Sequence, residues 1–516
     1  MGSGVDVDRW FLAAGERGNP ATALDGRRPG GLGWSEGNLV RPLIHGASYY
    51  AELHRRIEEM GAGDLVLFVD WRGDPDERLT DSPDSQVGAV LARAARRGVD
   101  VRGLIWRSHW DRLAFSGREN RHLGEEINAA GGQCVLDMRV RVGGSHHQKF
   151  VVLRYRDHPE RDIAFLGGID LCHSRRDDAA HRGDPQPQPM AAVYGDRPPW
   201  HDVQLAITGP AVGDVETVFR ERWDDPQPLT RSPLRWVADR VHQPRVRTSP
   251  LPARRPDPGP TGAHPVQLLA TYPKRLGGYP FAPRGERSVA RGYTKAIRRA
   301  RELIYIEDQY LWSPQVAAEF ADALARRPDL HLIAVLPHYP DQDGRLSMPP
   351  NLLGRQRVID QLRRVAPARV AFYGIENPQG RPVYVHAKVC VVDDTWASVG
   401  SDNFNRRSWT HDSELSATVC HEGYARELRT ALTSEHLGAG HENLEMGAMF
   451  ATFAASAGAL QAWHEQGRDG PRPPGQLRPL TERALGPFTR AWADPLYRLV
   501  YDPDGRPLGL RLRHRM

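Results

Sequence analysis

The chain has 516 residues, 40 % apolar and 26 % charged, a composition that excludes a disordered or fibrous protein and fits two to four domains or one large duplicated one. A formal net charge of +5 is mildly basic, which suits anionic phosphates on lipid or nucleic acid without choosing between them. No run approaches the ~18 apolar residues of a membrane span, the longest being Ala448 to Ala462.

The N-terminal stretch MGSGVDVDRWFLAAGERGNP has neither a basic nor an apolar signal region. A cytoplasmic protein without a visible signal peptide is therefore expected; export by another route would leave no mark in the sequence. Cys134, Cys172, Cys390 and Cys420 are widely separated and form no C-x-x-C pair, so buried free thiols are expected in place of a disulfide framework or zinc knuckle.

Elements then recur in a fixed order. SYYAELHRRIEEMGAGDLVLFVDWRGD predicts an amphipathic helix followed by a buried strand over Leu65 to Asp70. VGAVLARAARRGVDVRGLIW predicts another helix and strand. GGSHHQKFVVL places His147 and Lys149 at the start of a β-branched run, and GPAVGDVETVFRERW predicts a helix. The second half repeats the series with RGYTKAIRRARELIYIEDQYLW (strand Leu303 to Glu307), VAAEFADALARRPDLHLIAVL, VYVHAKVCVVD (His386 and Lys388) and HEGYARELRTAL. Two such series imply duplicated α/β halves with mixed β-sheets packed together.

The expected boundaries are a first half over 1–225, a Pro/Arg-rich linker over 226–265, a second half over 266–440 and a C-terminal extension over 441–516. Pro185 to Pro199 is expected to be a loop beside the first motif.

A His-x-Lys pair in extended chain puts both side chains on one face. The imidazole can attack or donate a proton, and the ammonium can grip a phosphate oxygen. Two copies together supply a nucleophile, an acid and two cations, enough to cleave a phosphodiester without a metal. Each copy is followed by a Gly-containing turn, FLGGIDLCHSRRDD and WASVGSDNFNRRSWTHDSE, whose amides are expected to approach a phosphate. Acids follow at Asp177, preferred over Asp178, and at Glu414. Either could orient a histidine, and the pairing stays open. His146 is read as a flanking residue, and His201 and Asp202 as structural support. Trp106, Trp110 and Trp200 could line a lipid-facing mouth or pack in the core. No metal or cofactor is expected, because no His/Cys/Asp cluster has zinc-ligand spacing and lysine is a poor ligand.

These residues resemble the phospholipase D superfamily, whose signature is H-x-K-x4-D followed by a G-G/S turn. The second copy matches throughout, with His386, Lys388, Asp393, Gly400, Ser401 and Asn403. The first matches at His147, Lys149, Gly167 and Gly168 but carries Arg154 in place of the Asp and Asp170 in place of the usual Asn. Asp162 could compensate for Arg154. The flanks PWHDVQLAITGPAVGDVETVFRERW and IYIEDQYLW are similar to the long two-motif phospholipases D of plants and other eukaryotes, and the likeness covers roughly residues 40–440. No C2-, PX- or PH-like region is read.

The resemblance implies a phosphohistidine on His147, with His386 as acid for the leaving alcohol and then base for water or an acceptor alcohol. It implies that Lys149, Lys388 and Asn403 hold the phosphoryl oxygens, with Ser401, Gly168 and Asp170 also near the substrate. Asp393 belongs to the catalytic signature but reads as structural. The implied protein is a phospholipid-hydrolysing or transphosphatidylating monomer that meets the membrane surface transiently and has no nucleic-acid partner. The alternatives are a superfamily nuclease, a phosphatidyltransferase of cardiolipin-synthase type, or a dead phosphate-binding protein.

Overall fold

The computed structural model describes residues 5–108, 117–230, 248–481 and 485–512. Trp110 and residues 231–247 of the expected linker lie outside these.

The first half contributes β1 (Ser35–Ile44), β2 (Leu65–Asp70), β3 (Asp100–Trp106), β4 (Gln133–Asp137), β5 (Phe150–Arg154), β6 (Ile163–Gly167), β7 (Trp200–His201) and β8 (Val203–Thr208). The second contributes β9 (His264–Tyr272), β10 (Glu286–Arg287), β11 (Leu303–Glu307), β12 (His331–Val335), β13 (Val370–Glu376), β14 (Pro382–Val385), β15 (Val389–Val392), β16 (Trp396–Gly400) and β17 (Glu414–Cys420), and β18 (Leu477–Pro479) follows. The main sheets have the same strand order. The first runs β1-β8-β6-β5-β2-β3-β4 and the second β9-β17-β16-β15-β11-β12-β13. In each, the last three strands are parallel and the others antiparallel, giving a mixed sheet. The sheets are joined where β1 pairs with β9.

Strand alternation divides the side chains between two faces. Leu65, Leu67 and Val69 of β2 join Leu303 and Tyr305 of β11 in one shared core, while Val66 and Phe68 face a separate outer core, as do Ile304 and Ile306. β6 and β8 lie against β16 and β17. The outer face of the first sheet is covered by α1 (Gly46–Glu58), α2 (Val87–Arg96) and α3 (Gly117–Ala129) through Leu53, Leu91 and Leu123. That of the second is covered by α5 (Ser288–Ile297), α6 (Pro314–Arg326) and α7 (Met348–Val365) through Tyr293, Phe320 and Ile359. Between these sets in sequence, α4 (Ala211–Trp223) puts Val212, Val215 and Phe219 into the shared core, and α8 (Glu422–Leu437) adds Leu428 and Leu432. Each such fully buried aliphatic side chain is worth about 1.5–3 kcal/mol.

The apolar stretch from Ala448 to Ala462 lies in α9 (Met446–Glu465), which packs Met449, Phe453 and Ala457 into the shared core. No helix among the described residues is long and apolar enough to cross a membrane. β18 extends the second sheet by pairing with β13, so the C-terminal stretch is built onto that half. Within the described part of the linker, Ser249 accepts from Arg102 at 2.7 Å and Asp257 pairs with Arg27 at 2.6 Å on the first half, Gln227 donates to Gly277 O at 2.9 Å on the second, and the last two residues already belong to β9. All four cysteines are buried free thiols.

Candidate active site

Both motifs sit in extended chain just ahead of a strand, His147 and Lys149 before β5 and His386 and Lys388 before β15. Each motif is stitched to the opposite half. His147 N–H donates to Ser413 O (2.9 Å) and Ser413 N–H to Ser145 O (3.0 Å). β14, leading into the second motif, pairs parallel with β7, Val385 lying opposite His201, and His386 N–H donates to His201 O (2.8 Å).

These crossings decide which acid meets which histidine. Glu414 opens β17 of the second half and holds His147 of the first, Nδ1 to Oε2 at 2.9 Å. Asp202, just ahead of β8 in the first half, holds His386 of the second, Nδ1 to Oδ2 at 2.6 Å. With Nδ1 engaged in each ring, Nε2 is left for chemistry.

Of the two acids the sequence offers, Glu414 meets a motif histidine and Asp177 does not. The Asp177 carboxylate instead accepts backbone N–H groups from Asp178 (2.9 Å), Gly183 (3.1 Å) and Trp200 (2.8 Å), fixing the loop that leads to β7. Asp202 has the place expected for it, together with a closer role than structural support. The repeat itself contains the signal, since Asp202 precedes VQLAIT as Glu414 precedes LSATVC.

The Gly turns act on these acids. A Cβ at Gly168 would lie 2.1 Å from Asp202 Oδ1, so glycine leaves room for the carboxylate. At the equivalent position Ser401 Oγ donates to Glu414 Oε2 at 2.5 Å. The turn amides expected to meet a phosphate have backbone partners already, Gly168 N–H on Val203 O and Ser401 N–H on Leu415 O, both at 3.0 Å.

The two lysines are buried. Lys149 Nζ donates to His147 O at 2.8 Å and lies 3.3 Å from Asp170 Oδ1. Lys388 Nζ donates to His386 O and to Gln309 Oε1, the latter at 3.2 Å. Asp170, expected near the substrate, is thus a counter-charge that also lies 3.4 Å from Arg175; a carboxylate there repels a phosphate. Asn403, at the equivalent place, is buried with Oδ1 unbonded. Arg175 stacks over Trp200 at 4.0 Å, and Trp200 lies 4.9 Å from the His386 ring. Trp71 meets His147 edge-on at 6.2 Å and stacks on buried Trp106 at 5.6 Å. Arg175 and Gln309 lie in the segments FLGGIDLCHSRRDD and IYIEDQYLW but hold no position of the signature there, and Trp71 is placed at the site only by the fold.

Burial and the neighbouring cations set the protonation states. Burial, then Lys149 and Lys388, hold His147 well below the usual histidine range. Burial, then Lys388, Arg175 and Lys149, do the same to His386. Burial brings Lys388 down to about 8 against the pull of Asp202. Burial and the charge of Asp412 push Glu414 up to about 8. These surroundings favour neutral imidazoles, the form in which Nε2 can carry a lone pair.

The remaining motif residues are structural. Asp393, in left-handed conformation (φ 49°), accepts N–H groups from Arg301, Glu302 and Leu303 at 2.8–3.0 Å, anchoring the start of β11. Its counterpart Arg154 is buried between Asp162 (2.9 Å) and Glu216 (3.0 Å). In that half the anchoring is reversed, Asp64 Oδ1 accepting from Arg156 N–H and Asp162 Oδ1 from Tyr155 N–H, each at 2.7 Å. His146 is buried against Gln148 (3.1 Å). The loop Pro185 to Pro199 holds to both halves, Gln186 Oε1 accepting from Arg78 N–H (2.8 Å), Ala191 N–H donating to Asp341 O (2.7 Å) and Tyr194 packing 5.6 Å from Tyr384.

A duplicated mixed-sheet fold with two His-x-Lys segments meeting across the halves defines a class, and the comparisons agree. Residues 60–241 match the family model described as phospholipase D, and residues 293–435 that described as cardiolipin synthase, PLD-like domain. The chain belongs to the phospholipase D superfamily. It is 28 % identical over 503 residues to phospholipase D alpha 2 of Oryza sativa subsp. japonica, covering 70 % of this chain and 59 % of that one. It is 26 % identical over 544 residues to phospholipase D alpha 1 of Vigna unguiculata, covering 78 % and 66 %. The chain thus spans roughly three fifths to two thirds of these relatives' length. Phosphatidylserine synthase of Haemophilus influenzae shares the fold with a TM-score of 0.52 at 12 % identity, covering 90 % of this chain and 94 % of that one.

Proposed function

We propose that the protein is a phospholipase D-type phosphodiesterase that transfers the phosphatidyl group of a phospholipid to water or an alcohol through His147. The observation that carries this is the crossed pair of His–carboxylate contacts, His147 on Glu414 and His386 on Asp202, beside two buried lysines.

His147 Nε2 attacks the phosphorus, and the phosphorus–oxygen bond to the head-group alcohol breaks. That oxygen takes its proton from His386 Nε2. Neutral His386 then removes a proton from water or an acceptor alcohol, whose oxygen attacks phosphorus and displaces His147. Water yields phosphatidic acid, and an alcohol yields its phosphatidyl ester. Lys149 and Lys388 neutralise the phosphoryl oxygens, with Arg175 and Asn403 beside them. After burial, the neighbouring cations hold His386 low; the substrate's negative charge offsets those cations, so His386 takes up its working proton as the diester binds. The match of the second half to a cardiolipin synthase-like domain supports alcohols as acceptors.

The test incubates the purified chain, without added metal, with phosphatidylcholine vesicles plus ethanol, and in parallel with plasmid DNA. Phosphatidylethanol and phosphatidic acid are the expected products. Nicked DNA with no lipid product contradicts the proposal.

A further inference from the structure

We propose that His45, His181, His201 and Glu435 form a four-ligand site for a divalent transition metal of the zinc class, clamping the two halves together behind His386. One ligand atom from each lies within 4.8 Å of all the others. His45 Nε2, His181 Nε2 and His201 Nδ1 stand 2.8, 3.0 and 3.4 Å from the Glu435 carboxylate. The three rings are packed with centroids 4.8, 5.0 and 5.8 Å apart, and all three histidines are buried. Tetrahedral zinc holds ligand atoms about 3.3 Å from one another at metal–ligand distances of about 2.0–2.2 Å, so an ion needs the shortest contacts to Glu435 to open slightly and the wider separations to close.

The outer nitrogens point to a metal. His181 Nδ1 donates to Trp200 O at 3.1 Å, and His201 Nε2 donates to Glu307 at 2.6 Å. Glu307 is itself fixed by Tyr305 OH (2.5 Å) and His436 (2.8 Å). A neutral imidazole that donates from its outer nitrogen presents a lone pair on its inner one. In both rings that inner nitrogen faces the same carboxylate oxygen, Glu435 Oε1, and His201 Nδ1 has no hydrogen-bond partner. Lone pairs facing a carboxylate repel unless the rings gain protons or a cation sits between them. Without an ion, burial is overcome by Glu307 and Glu435, which bring His201 up to about 10 and place two imidazoliums side by side between two carboxylates. One dication engages all four groups, with Trp200 O and Glu307 serving His181 and His201 as the outer acceptors that zinc-bound histidines usually have. His201, Glu307 and His436 also converge, but that set has three members and its carboxylate is already taken by Tyr305.

Zinc-ligand spacing is absent from the sequence because the ligands are far apart along it, His45 and Glu435 being 390 residues distant. They come from the turn after β1, the loop before β7, β7 itself and α8. His201 adjoins Asp202, so the ion would steady the strand that aims His386 without touching substrate.

The test strips the full-length chain with a chelator and reloads it with zinc chloride or cobalt(II) chloride. Expected are one zinc per chain by elemental analysis, the visible bands of tetrahedral cobalt, and a higher Tm with zinc. Glu435→Gln and His45→Ala, checked for folding by circular dichroism, are expected to lose all three. If the wild type takes up neither ion, or if both folded variants bind as the wild type does, the site is a hydrogen-bonded histidine cluster and the proposal fails.

Discussion

His386 is held by Asp202, 184 residues earlier in the chain and in the opposite half, at 2.6 Å. His147 and Glu414 repeat the relationship with the halves exchanged. Neither motif histidine takes its carboxylate from its own half, so these pairs exist only where the halves meet. Asp202→Asn and Glu414→Gln are each expected to lower kcat by about 10²- to 10⁴-fold with little change in KM, because orientation of the imidazole is lost and not lipid binding. Asp177→Asn is expected to lower Tm and leave kcat near wild type. Steady-state kinetics on the three variants checks this; a loss of kcat confined to Asp177→Asn contradicts the assignment.

Gly168→Ala pushes a methyl group toward Asp202 and is expected to reduce kcat by about 10²-fold, the usual cost of displacing a catalytic pair by an ångström. Unchanged kcat in a folded variant would show that the carboxylate is not confined there.

The His-x-Lys segments are legible in the sequence because histidine, lysine and the following strand are contiguous. The strands Leu65–Asp70 and Leu303–Glu307 are legible too, as short apolar runs after amphipathic helices, and the structure gives them the same bounds. The crossed pairing is not legible, since it follows from β14 meeting β7 and from Ser413 meeting Ser145. Asp177 misleads because it follows the Gly turn in sequence but is turned toward backbone amides. The helix Met348–Val365 is hidden by two prolines near its start and by its arginines.

Lys388 is brought down to about 8. A lysine is cationic below its pKa, so kcat/KM is expected to fall as pH rises through about 8, as the cation that holds the phosphoryl oxygen is lost. Lys388→Arg keeps its charge at higher pH and is expected to have lower activity but no fall in that range. A pH–rate profile for both proteins checks this.

Arg154 neutralises two buried acids, Asp162 and Glu216. Arg154→Ala strips Asp162 of its cation and leaves Glu216 with Arg220 alone, and is expected to cost about 3–5 kcal/mol of stability. Arg154 touches neither histidine, so protein that remains folded should keep its kcat. Chemical denaturation together with assays below the midpoint separates the two effects.

The most direct measurement is mass spectrometry of the His386→Ala protein quenched after reaction with a phosphatidyl ester of p-nitrophenol, whose leaving group needs no acid. A phosphatidyl adduct on the peptide containing His147, absent from the His147→Ala protein, is the predicted result. Release of p-nitrophenol with no adduct on His147, or with the adduct on another residue, contradicts the assignment of His147 as nucleophile.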